Sequence, residues 1–285
     1  MADRNFENAV VVLVGHGSTV NAQSAAPVYQ HAAALRGRKL FAEVREAFWK
    51  QEPRVADVVG NLASATVFVV PVFISEGYFS ERVIPRALGF PAEIEDSRRR
   101  VQSTGSRQVI YCRALGEHPG LSRVLLARAT GVAERFPFPS PPKPGDTTLF
   151  VAGHGTGQDE HSRRAIERQV ERVGAMNLYA AVHAVFLEES PRIGDCYRLT
   201  QTRNLVMVPF FISDGMHVRE DIPILLGEPE ALVRKRLAAG QPTWRNPTER
   251  HGKRVWYSDS VGTDPLVGEL ILERVQEAAT WVAST

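Results

Sequence analysis

The sequence predicts an α/β protein made of two tandem doubly wound, flavodoxin-like domains with parallel sheets. Short apolar runs alternate with amphipathic helical stretches, the order of segments recurs at a fixed spacing, and one proline-rich stretch separates the two copies. Alternating strands and helices signal parallel βαβ winding, and near-continuous apolar strands are those covered by helices on both faces.

The strands come first. AVVVLVG (9–15) opens the first half, and TTLFVAG (147–153), LYAAVHAVFLE (178–188), NLVMVPFFIS (204–213) and RVWYSDSV (254–261) supply the second. All are rich in β-branched and aromatic residues. Between them SRRAIERQVERV (162–173) places Ile166, Val170 and Val173 on one helical face. A further helix is expected directly after Ser190, with the serine as cap and Pro191 in the first turn.

The repeat is read by sliding the chain on itself by 138 positions. Gly15-His16-Gly17 then meets Gly153-His154-Gly155, Pro71 meets Pro209, and SEGYFSERVIP (75–85) meets SDGMHVREDIP (213–223). VIYCRALGEHP (109–119) returns as VWYSDSVGTDP (255–265) at a slightly larger offset, so the second half carries extra residues around TWRNPTERHG. Such self-similarity marks a duplicated domain. FPFPSPPKPGD (136–146) reads as a stiff linker, giving an N-terminal domain over 1–135 and a C-terminal domain over 147–285.

Composition limits the partners. The 285 residues are 44% hydrophobic and 23% charged, with a net charge of +2, which suits a packed globular chain and offers no basic stripe for nucleic acid. No apolar run reaches membrane-spanning length and no secretory leader is evident, so a cytoplasmic protein without membrane contact is expected. Cys112 and Cys196 are too few for a disulfide framework and are expected as reduced, buried thiols.

In doubly wound sheets ligands bind beyond the carboxyl ends of the strands. In the second half those positions hold His154, Glu188 and His217. Two imidazoles and a carboxylate suit a divalent first-row metal, with coordination positions left open. The matched residues of the first half are His16, Lys50 and Phe79, so only one candidate ligand of three is kept there. Glu189 lies beside Glu188, and a shift of one residue would exchange them. His118 is expected in a surface loop and His183 in the core.

These motifs carry a family resemblance. GHG after the first strand, FLE…P after the second, the P-x-F-[IF]-[SD]-x-G-x-H loop and a late [LV]-G-x-x-P segment together resemble the class II tetrapyrrole chelatases, the sirohydrochlorin cobalto- and ferrochelatases, as two family units in tandem. The resemblance implies chelatase-like domains and a lyase that inserts Co²⁺ or Fe²⁺, with Ni²⁺ a further candidate, into sirohydrochlorin or a related tetrapyrrole of cobalamin or siroheme synthesis. It implies His154, Glu188 and His217 as metal-site residues and no organic cofactor. The substrate would occupy a cleft between the halves, in a monomer that acts as its own pseudo-dimer. His16, Arg163, Arg164, Arg192 and Arg219 are candidates to meet the carboxylates of such an anionic substrate. Two other classes remain in view. One is a non-catalytic metal carrier or tetrapyrrole-binding protein on the same fold. The other is a histidine phosphatase, which VGHGST resembles, although glycine stands where that chemistry needs an arginine.

Overall fold

The computed structural model describes residues 6–19, 21–91, 94, 96–155 and 160–282. The first repeat runs β1 (Phe6–Gly15), α1 (Ala26–Arg38), β2 (Phe41–Phe48), α2 (Val55–Gly60), β3 (Thr66–Pro71), a π-helical turn Phe79–Val83 leading into α3 (Ile84–Ala87), β4 (Val101–Thr104), β5 (Arg107–Tyr111) and α4 (Leu121–Arg135). The second runs β6 (Thr147–Gly153), α5 (Glu160–Ala175), β7 (Ala181–Phe186), a 3-10 turn Ile193–Tyr197, β8 (Asn204–Pro209), a π-helical turn His217–Asp221, α6 (Ile222–Leu225), α7 (Glu230–Ala238), β9 (Thr248–Arg250), β10 (Lys253–Tyr257) and α8 (Val267–Val282).

Each repeat builds one five-stranded sheet, in the orders β2-β1-β3-β5-β4 and β7-β6-β8-β10-β9. Four strands of each are parallel, and β4 and β9 close one edge antiparallel to β5 and β10. The central strands are apolar along their length because both faces are covered: Val11, Val12, Leu13 and Val14 of β1 are wholly buried, as are Leu149, Phe150, Val151 and Ala152 of β6. Each larger side chain among them contributes about 1.5–3 kcal/mol by leaving water. The predicted fold class is therefore found, with the antiparallel edge strands as an addition. Those edge strands are short and polar, so no run of apolar residues announces them.

The chain divides at places other than the proline-rich stretch. One compact unit runs to His118 and takes in the segment from Pro265 onward, and the other is Pro119–Asp264. Helix α4 thus belongs with the second sheet and α8 with the first, whereas a division at 136–146 keeps each helix with its own repeat. The reason lies in the packing. In the second unit α4 buries Leu121, Val124, Leu125, Ala129 and Val132, and its buried Ser122 donates to the buried Gln169 of α5 at 2.8 Å. In the first unit α8 buries Leu270, Ile271, Leu272 and Val275, and Arg274 donates from Nε to the Ala114 carbonyl at 3.0 Å. The segment after α4 is not a free spacer either: Trp256 donates to the Phe136 carbonyl at 2.9 Å and Arg254 lies 5.0 Å over the Phe138 ring.

Two local expectations change. No α-helix starts after Ser190. Residue 191 accepts a bond from the Phe186 amide and Arg192 bridges to Phe186, so the chain stays extended there. Winding begins only at Ile193, where Asp195 accepts the Arg192 amide at 2.8 Å, and it lasts a single 3-10 turn. His118 is buried, not in an exposed loop, with Nε2 3.4 Å from Glu273 of α8. Its partner is distant in sequence, which is why local pattern did not reveal it. His183 is half-buried against Phe150, with ring centroids 5.5 Å apart, and burial lowers its pKa. Both cysteines are free and buried, and burial pushes their thiols up, that of Cys196 to about 12. Among the described residues no helix is long and apolar enough to cross a membrane.

Candidate metal centre

The site of the second unit grows from the end of β6. The Gly153 and His154 carbonyls accept the Leu187 amide at 3.0 and 3.1 Å, and that of His154 accepts the Glu188 amide at 3.2 Å, so the ends of β6 and β7 are locked in register. Gly155 has φ +62, and a Cβ there would lie 2.5 Å from Glu189 Oε1; only glycine fits that turn. His154 is thereby held at the strand end with its Nε2 3.7 Å from Glu188 Oε1. The third residue arrives from the π-helical turn after β8: the His217 ring stands edge-on to His154, centroids 4.9 Å apart at 84°. The structure places the Glu188 carboxylate on one side of His154 and the His217 ring edge-on to it.

Two ligands of one tetrahedral ion at about 2.1 Å each sit about 3.4 Å apart, near the His154–Glu188 spacing. Among the described residues no group of three His, Cys, Asp or Glu side chains is placed so that it could hold a metal ion as it stands. His154 Nδ1 is buried without a hydrogen-bond partner among the described residues, while Glu188 keeps 60% of its side chain exposed. The unpaired atom is Nδ1, whereas Nε2 is the nitrogen that faces Glu188.

Glu189 takes a separate part. Its Oε2 lies 2.9 Å from Arg163 Nη1, Arg163 Nε donates to Glu167 at 2.7 Å, and the guanidinium sits 4.9 Å over the Phe186 ring. Arg163 is therefore engaged in holding Glu189. Arg192 is exposed and reaches the Leu187 carbonyl at 3.4 Å, Arg164 is exposed on α5, and the exposed Arg219 borders a cavity of about 540 Å³ together with Arg128, Arg135 and Trp244. These arginines are not gathered into one cluster.

The first unit repeats the frame with other side chains. The His16 and Phe79 rings stand 4.7 Å apart at 86°, and Lys50 Nζ lies 5.8 Å from the Phe79 centroid. His16 Nδ1 bonds the Gly17 carbonyl at 2.9 Å, and Gln51, the counterpart of Glu189, accepts the Ser18 amide at 2.9 Å. Burial, reinforced by the nearby Lys50 cation, lowers the His16 pKa against the opposing Gly17 bond.

One participant escaped the sequence reading. Asp221 Oδ2 lies 2.6 Å from His217 Nδ1. The signal was present as His-x-x-x-Asp within one turn, but it is also the spacing of an ordinary surface ion pair.

Comparison with known proteins shows the family of the whole chain. The family model CbiX matches twice, over residues 10–132 and 148–278. A protein of Halobacterium salinarum named "Probable sirohydrochlorin cobaltochelatase" is 38% identical over 278 residues, covering 94% of this chain and 91% of that one. Among solved structures, a multi-domain protein of Deinococcus radiodurans, described as similar to chelatases and as bearing two additional domains, aligns with TM-score 0.75 and 30% identity over 93% of this chain. This chain spans 54% of that protein's length. SirB from Bacillus subtilis shares the fold at TM-score 0.69 and 18% identity, covering 97% of this chain and 98% of its own. With two matched copies and full-length similarity, the chain belongs to the CbiX family, carrying two of its units in tandem.

Proposed function

We propose that the protein is a sirohydrochlorin chelatase that inserts a divalent metal, Co²⁺ or Fe²⁺, into the free-base macrocycle as a step toward cobalamin or siroheme. The observation that carries this reading is the facing pair His154 and His217 with the Glu188 carboxylate 3.7 Å from His154. Membership of the CbiX family and the name of the Halobacterium relative support it, and that name favours cobalt.

The chemistry asks for little else. Insertion exchanges two pyrrole N–H protons for one M²⁺, so the site must hold the ion weakly, release it to four nitrogens and accept protons. Neutral imidazole binds Co²⁺ and Fe²⁺ without the tight hold of thiolate, and Cys112 and Cys196 are both buried in their cores. Glu188, mostly exposed beside His154, can share ligation and then carry protons to solvent. The first unit, with Lys50 and Phe79 at the matched places, would bind no ion. Since both family units lie in one chain, we expect a monomer.

The test is the absorbance change of sirohydrochlorin on adding Co²⁺, or Fe²⁺ without oxygen, with wild type and His217→Ala. Acceleration over the spontaneous rate that disappears in His217→Ala supports the reading. A wild type that binds Co²⁺ yet leaves the spontaneous rate unchanged would make the protein a metal carrier.

A further inference from the structure

The loop that brings His217 to the site exists twice, and the two copies differ at two linked places. In SDGMHVREDIP the histidine is followed four residues later by Asp221; in SEGYFSERVIP the same places hold Phe79 and Val83. Both segments form the same π-helical turn, His217–Asp221 and Phe79–Val83, and both deliver a ring edge-on to the strand-end histidine, at 84° and 86°. The turn therefore needs neither the imidazole nor the carboxylate to form. Where the imidazole is absent its carboxylate is absent too, and where it is present the two groups are 2.6 Å apart.

An ionised carboxylate can only accept, so the proton in that contact belongs to His217 Nδ1. A neutral imidazole has one N–H, and Nε2 is then left as the bare nitrogen. We infer that Asp221 is a positioning residue, which fixes His217 in the tautomer whose Nε2 lone pair is available to the metal substrate and holds the ring across from His154. A carboxylate behind a ligating histidine also raises the basicity of the far nitrogen. Without Asp221 the ring would place its proton on Nε2, the commoner tautomer in water. The inference rests on the metal reading of the site only for its consequence; the tautomer itself is a property of the free protein.

The experiment uses the full chain with Asp221→Val, the residue the first copy already tolerates at this place, and Asp221→Asn, whose amide oxygen can still accept from Nδ1. Nitrogen-15 spectra of the histidine rings in metal-free protein, with His217 assigned by its loss in His217→Gln, report which nitrogen carries the proton. The Nδ1–H form is expected in wild type and Asp221→Asn, and the Nε2–H form in Asp221→Val. Titration with Co²⁺ is expected to show affinity falling by about 10–100-fold in Asp221→Val and by a small factor in Asp221→Asn. An Asp221→Val protein that is folded, keeps the Nδ1–H form and binds Co²⁺ as wild type does overturns the inference. If wild type takes up no Co²⁺ while the tautomer still follows Asp221, the metal reading of the site fails and the positioning role stands.

Discussion

The matched sites of the two units share a frame and differ in chemistry. In each, a strand-end histidine follows a glycine and precedes a left-handed one, a π-helical turn presents a ring edge-on, and the next strand supplies a charged residue beside it. In the second unit the ring is imidazole and the charge is a carboxylate; in the first they are phenyl and ammonium. The edge-to-face geometry is nearly the same, so aromatic packing alone maintains the scaffold. On the proposed reading, Glu188, His217 and Asp221 would set the second frame apart as a metal site, since the backbone that carries them is shared.

The sharpest test of that asymmetry is to remove the histidine common to both. His154→Ala should lower metal insertion by more than about 100-fold, because even indirect support of a ligand is worth about 10–100-fold. His16→Ala should leave most of the activity; an equal loss from both would show that the first frame also serves the chemistry. The two neighbouring glutamates separate in a similar way. Glu188→Gln is expected to reduce turnover about 100-fold, in keeping with loss of a proton-accepting group. Glu189→Gln, which releases Arg163 from a partly exposed ion pair, should leave the rate near wild type and cost about 1 kcal/mol of stability, read as a lower Tm. The converse experiment restores chemistry to the first frame: Lys50→Glu with Phe79→His should raise bound Co²⁺ from about one to about two equivalents per chain, counted by calorimetry. No second equivalent would mean that the frame differs in more than its side chains.

A smaller effect concerns acid stability. The His16 pKa lies below the ordinary 6.5 because of burial, so the unfolded chain binds the extra proton more readily than the folded one. Its contribution is present above about pH 6.5 and is lost as pH falls from there through the lowered value. His16→Gln should therefore flatten the decline of Tm below pH 6.5, whereas the wild type retains it.

The division into strands and helices was legible because its signals are local. β1 and β6 carry unbroken apolar runs, and α5 buries Ile166 and Val173 of the face its periodicity marked, with Val170 partly buried. His154, Glu188 and His217 were legible because the repeat turned two copies of one segment into an internal comparison, in which His217 stood out against Phe79. The FLE register favoured Glu188 over Glu189, and the geometry gives Glu189 to Arg163 and leaves Glu188 beside His154. Other features depend on partners far away in sequence. His118 meets Glu273, Ser122 meets Gln169, and Arg274 meets the Ala114 carbonyl, and no window of neighbouring residues contains those pairs. The same blindness hid the membership of α4 and α8: each is amphipathic by its own sequence, but amphipathicity does not say which sheet will cover it.

That membership has a consequence for how the chain is made. The second unit, Pro119–Asp264, is contiguous and has every element it needs once residue 264 has been synthesised. The first begins earlier but lacks α8, which starts only at Val267. Synthesis runs from the N-terminus at about 5–20 residues per second, and domains ordinarily close in that order. Here the order is reversed: the sheet translated first must wait, with the face that receives α8 uncovered, until Val267–Val282 has been synthesised. During that interval the nascent chain leaves bare the apolar surface of β3 and β5 on which α8 packs.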